Sequence, residues 1–72
     1  MEWTQVTSSS ITAMRHHDTT MEVLFTSGVS YRYANVSKQL FEELLNSPSV
    51  GSAFASRIKK NPGEYPFEKV QA

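Results

Sequence analysis

Both histidines and the single aspartate of this chain stand together as His16-His17-Asp18. Imidazole and carboxylate are metal ligands and proton-transfer groups, so this is the first place to look for chemistry. Adjacent residues of a strand point to opposite faces, however, so His16 and His17 cannot readily share one ion. Asp18-Thr19-Thr20 reads as a turn. The cluster is therefore read as turn and surface, with no metal, no cofactor and no catalytic residue assigned. Ser8, Ser9 and Ser10 supply hydroxyls, but no base is placed beside them. No strand–turn–helix elbow of the G-x-S-x-G kind surrounds them either. They read as the entry to a strand.

The remaining candidates bind rather than react. Arg57, Lys59 and Lys60 form a basic cluster, with no acid between Glu43 and Glu64. Such a patch can hold phosphates. It also suits the last turn of a helix, where cations meet the negative end of the dipole. Arg15 and Arg32 are the other arginines expected at a nucleic-acid surface. Tyr31 and Tyr33 can stack on bases, or pack in the core with their hydroxyls at its rim. Trp3, Leu24, Tyr65 and Phe67 are the candidate anchors for a protein partner.

Three strands and two helices must position these groups. Strand one runs roughly from Ser10 to Met14. Strand two, Met21 to Thr26, alternates Met21, Val23 and Phe25 against Glu22, Leu24 and Thr26. Strand three, Val29 to Ala34, alternates Val29, Tyr31 and Tyr33 against Ser30, Arg32 and Ala34. These runs are β-branched and aromatic, as half-buried strands are. A three-residue loop Thr26-Ser27-Gly28, with Gly28 left-handed, sets Val23 opposite Tyr31 and Met21 opposite Tyr33. Every apolar residue then shares one face, and Glu22 meets Arg32 on the other. A two-residue loop would mix core and surface residues on both faces.

Helix one is read over Lys38 to Asn46, capped by Ser37. Leu40, Phe41, Leu44 and Leu45 form its apolar stripe, and Asn46-Ser47-Pro48 ends it. Helix two is read from about Ser49 to Lys60, with Val50, Phe54 and Ile58 on one side. Gly51 and Ala53 allow close approach there, and Asn61-Pro62-Gly63 stops it. The tail from Glu64 carries Tyr65, Pro66, Phe67 and Val70 and is expected to pack back. The expected fold is α+β: a three-stranded antiparallel sheet followed by two helices packed on one face. The other face, with Glu22, Leu24, Ser30 and Arg32, is left exposed.

At 72 residues the chain is one domain, with its core over about 6–70. A domain this small buries only about 60% of its unfolded surface. It has no cysteine, which excludes disulfides and thiolate metal sites and fits a reducing, cytoplasmic setting. Seven Lys and Arg balance seven Asp and Glu, so the basic excess of a strong non-specific nucleic-acid binder is missing. Zero net charge also leaves self-association open. No signal peptide and no 18-residue apolar run is visible, so no membrane role is expected.

The sequence resembles the KTSC domain, named for the C-terminal region of some lysyl-tRNA synthetases and also found as small bacterial and phage proteins. The resemblance rests on Ser8-Ser9-Ser10-Ile11, Met14, the strand Met21, Val23, Phe25, then Gly28 and the central Tyr31-Arg32-Tyr33. It continues through Val36, Ser49, Gly51, Phe54, Ile58, Lys59, Tyr65 and Pro66, and so spans about Val6 to Val70. Where the family usually has Gly-Tyr-Asp, this chain has Arg15-His16-His17, with Asp18 one position late. The usual proline after Val36 is Ser37. The link before Tyr65, Asn61-Pro62-Gly63-Glu64, also differs in length. The resemblance implies a non-catalytic module with an RNA-binding role, and brings no catalytic residues with it. The alternative is a protein-interaction module, such as a phage or prophage accessory protein acting on a host factor.

Overall fold

The computed structural model describes residues 3–70, so the first two and last two residues of the domain lie outside the described residues. The central hairpin has the three-residue loop that the alternation predicts. Its first strand is Thr20–Phe25 (β3) and its second is Ser30–Tyr33 (β4), with Met21, Glu22 and Val23 opposite Tyr33, Arg32 and Tyr31. The Phe25 amide donates to the Val29 carbonyl at 2.9 Å, closing the three-residue loop. Gly28 has φ +92°, where a side chain would be strained.

The first long strand, Ile11–His17 (β2), extends three residues beyond the expected Met14. Polar Arg15 and His16-His17 hid the continuation, because each finds a partner in the fold. A bulge between Ile11 and Ala13 rephases β2. Ile11 then faces Phe25 and Met14 faces Val23 across the ladder, so both reach the inner face.

The sheet has five strands, not three, in the order β1-β2-β3-β4-β5 and antiparallel throughout. Thr4–Gln5 (β1) adds to the edge of β2, and Phe67–Val70 (β5) adds to β4. Two residues are too few to show a period. Phe67-Glu68-Lys69-Val70 alternates in face but not in polarity. The tail therefore packs back as a strand, with Asn35 Nδ2 donating to the Glu64 carbonyl and the Ala34 amide to that of Pro66.

Helix α1 spans Lys38–Leu45. The Leu40 amide donates to Ser37 Oγ at 3.1 Å, so Ser37 serves as the cap. The second helix is α-helical only over Val50–Phe54 (α2) and continues as a π-helical segment, Ala55–Lys59. Its wider ring shows in the Lys60 amide bonding the Ala55 carbonyl. Asn61 Nδ2 caps the Arg57 carbonyl near its end. Both helices lie on the inner face. Met14, Met21, Val23 and Tyr33 meet Leu40, Phe41, Leu44, Val50, Phe54 and Ile58 there in one core.

Gly51 explains the serine run. A Cβ there would come within 2.9 Å of Ser8 Oγ and 3.3 Å of Ser10 Oγ. Ser8 Oγ also accepts from the amides of Ser10 and Ile11, which fixes the entry to β2. The serines that lead into β2 and the glycine of α2 are thus one packing contact.

Candidate binding site

The outer face of the sheet is not open as expected. Glu22 is buried, and its carboxylate takes hydrogen bonds from Arg15 Nε at 3.0 Å and Nη2 at 2.7 Å. Arg32 approaches the same carboxylate at 3.6 Å and bonds Glu68 at 3.1 Å. The Arg15 guanidinium lies 4.2 Å from the centre of the Trp3 ring. Trp3, Arg15, Glu22, Arg32 and Glu68 therefore form a row across the sheet in which two cations meet two anions. Leu24 is half-buried on this face opposite Ala13. Arg15 and Arg32, expected at nucleic acid, are already neutralised.

His16 and His17 do point to opposite faces. On the inner side, the His16 Nε2–H donates to the Val36 carbonyl at 2.6 Å and the ring stacks on Phe41. The exposed His17 sits 3.3 Å from Asp18. Asp18, at φ +58°, belongs to the turn between β2 and β3.

The helical basic cluster divides as well. Arg57 donates to Glu43 at 2.7 Å, and Gln39 supports the same carboxylate. These two hydrogen bonds hold the Glu43 carboxyl below its usual range. Lys59 and Lys60 make no ion pair among the described residues.

Lys59 borders a groove that the helices leave uncovered on the inner face. Its volume is about 650 Å³, and Phe25, Val29, Tyr31, Tyr33, Phe67 and Pro62 form its apolar walls. That size suits a bound group of modest dimensions. The rings make a continuous floor. Phe25 meets Tyr31 edge-on at 5.8 Å and Phe54 at 5.9 Å, and Phe67 contacts Tyr31 at 5.8 Å and Tyr33 at 5.7 Å. Tyr33 is buried, and that burial, with neighbouring Tyr31, raises its phenol above its ordinary pKa. Tyr31 is half-buried and lines the groove, so the two tyrosines divide between core and surface. Phe67 is 56% exposed, the one large hydrophobic so exposed among the described residues.

Lys69 stands opposite Tyr31 on the same face, so two lysines flank the aromatic floor. Among the described residues, Lys59 is the only charged one that lines it. Phe25 and Lys69 were not nominated from the sequence as site residues. The derived hairpin register contains the signal for Phe25, since it places that ring beside Tyr31. Lys69 becomes visible only once β5 is recognised. Of the proposed anchors, Phe67 alone reaches the groove. Trp3 and Leu24 belong to the outer face, and Tyr65 packs against the core.

A five-stranded antiparallel sheet with two helices on one face and an aromatic groove beside them defines a small α+β domain. The KTSC domain model matches residues 7–61, and the chain belongs to that family. Among solved structures it is similar to a KTSC domain protein of Yersinia pestis, at 22% identity and a TM-score of 0.86. The similarity covers 97% of each chain and supports the shared fold. No curated protein matches the chain. No helix of the described residues is long and apolar enough to cross a membrane.

Proposed function

We propose that this chain is a small non-catalytic binding module that engages another protein through the aromatic groove. The observation that carries the reading is the exposed Phe67 ring on a floor of Phe25 and Tyr31. Such rings supply much of the binding energy at protein interfaces once a partner excludes water from them. Arg15, Arg32 and Arg57 already have acidic partners, which weakens the electrostatic case for nucleic acid. The test is capture from a nuclease-treated bacterial lysate with the purified protein and with Phe67→Ser. A specific protein held by the parent chain and released by the variant supports the reading. An RNA-dependent or empty capture contradicts it.

RNA is the second reading, and Lys59, which borders the same groove as half-buried Tyr31 and is followed by Lys60, is what favours it. A base would stack on the ring and the lysines would meet phosphates. Binding to total tRNA would then be weak, steeply salt-dependent, and reduced by Lys59→Ala with Lys60→Ala. Unchanged binding in that double variant would remove this reading.

A further inference from the structure

The outer edge of β5 carries its own pattern of charge and backbone groups. The Ala34–Pro66 hydrogen bond sets the phase of the β4–β5 ladder. In an antiparallel pair the directly bonded positions alternate. Arg32–Glu68 and Ser30–Val70 are then the bonded pairs, and the N–H and C=O groups of Phe67 and Lys69 point to the open edge. No described strand pairs with that side. The same two residues project their side chains onto the groove face, while Glu68 and Val70 project onto the outer face.

We propose that β5 accepts an extended peptide as a sixth, antiparallel strand. The inference rests on the protein-binding reading of the groove and names the partner's chemistry. Backbone bonds to Phe67 and Lys69 would give affinity, and alternate side chains would give specificity. On the groove face the peptide needs an acid opposite Lys69 and an apolar ring opposite Phe67. On the outer face a cation opposite would share the exposed Glu68 carboxylate with Arg32, and an apolar residue would face Val70.

A second copy of this chain does not fit the edge. Two antiparallel strands place residues of the same face opposite one another. Symmetric pairing that keeps three β5 residues in register is centred on Glu68 or Lys69, and so sets Glu68 against Glu68 or Lys69 against Lys69. Like charges directly opposite are unfavourable, so the edge is protected against self-pairing and remains open to a complementary strand.

The probe is a ten-residue peptide with Val-Glu-Lys-Phe at its centre, flanked by Gly and Ser. Its control is the charge-swapped Val-Lys-Glu-Phe. Nitrogen-15 NMR titration should move the β5 and groove resonances, and the Phe67 and Lys69 amides should exchange more slowly. The swapped peptide reverses two cross-strand charge pairs and should bind at least about fivefold more weakly. Combining Glu68→Lys with Lys69→Glu should invert that preference. Equal binding of both peptides, or shifts away from β5, would overturn the proposal. Protection of the edge by an oligoribonucleotide and by neither peptide would also overturn it. If the peptides fail while Phe67→Ser still releases a captured protein, the edge-strand inference falls and the groove reading stands.

Discussion

The two faces of the sheet treat charge in opposite ways. On the outer face, Arg15, Glu22, Arg32 and Glu68 neutralise one another in a row, and Trp3 covers one end. On the inner face, Lys59 and Lys69 flank an aromatic floor without an ion-pair partner among the described residues. The three arginines, far apart in sequence, are all held in ion pairs, while one lysine unpaired among the described residues sits in a strand that shows no pattern. A cation's availability depends on the neighbours that the fold gives it, and composition does not record them.

The contrast can be broken or sharpened by substitution. The largest stability change should come from the core beneath both faces. Leu44 is fully buried, and Leu44→Ala should cost about 2–5 kcal/mol in urea unfolding. Glu22→Ala should cost less, about 1–2 kcal/mol, because the arginines it pairs with are partly exposed. The same change frees the Arg15 guanidinium and leaves Arg32 only Glu68, so binding to tRNA at low salt should rise with a steeper salt slope. An unchanged slope would show that the outer row does not mask those charges.

Gly51→Ala should cost about 1–2 kcal/mol, because the new methyl displaces Ser8 Oγ from the two amides it caps. Ser8→Ala should not add to that loss in the double variant if both act through one contact. The smallest stability change should be that of Phe67→Ser, about 1 kcal/mol or less, since the ring is more than half exposed and loses only its contacts with Tyr31 and Tyr33.

The two shifted groups give stability a pH dependence of opposite sign at either end. The Glu43 carboxyl is held below its usual range when folded. Its contribution is present above the ordinary carboxylate pKa and disappears as pH falls through the lowered folded value. The Tyr33 phenol is raised by burial. Its contribution is intact below about pH 10 and is lost as pH climbs above that ordinary value toward the raised one. Urea midpoints measured against pH should show both limbs. Glu43→Gln should flatten the acid limb and Tyr33→Phe the alkaline one.

Much of the fold was legible wherever side-chain periodicity matched burial. The β3–β4 register followed from one loop length, because a slip would have put Val23 and Tyr31 on opposite faces. The Ser37 cap and the approximate starts of both helices followed from the same local chemistry. Strands β1 and β5 were not legible, since their residues are largely exposed and pair through backbone groups that carry no sequence signature. The bulge near Thr12 and the π-helical segment were hidden for the same reason. Of the site, Tyr31, Phe67 and Lys59 could be nominated by type. Their convergence, and the addition of Phe25 and Lys69, required knowing where the helices stop covering the sheet.

The most direct test is nitrogen-15 NMR of the folded protein titrated with 8-anilinonaphthalene-1-sulfonate, an aromatic anion matching the floor and its lysines. Shifts gathered on Phe25, Tyr31, Lys59, Phe67 and Lys69 are the predicted result. Shifts gathered instead on Arg15 and Arg32, or none at all, would contradict the assignment of the groove as the binding surface.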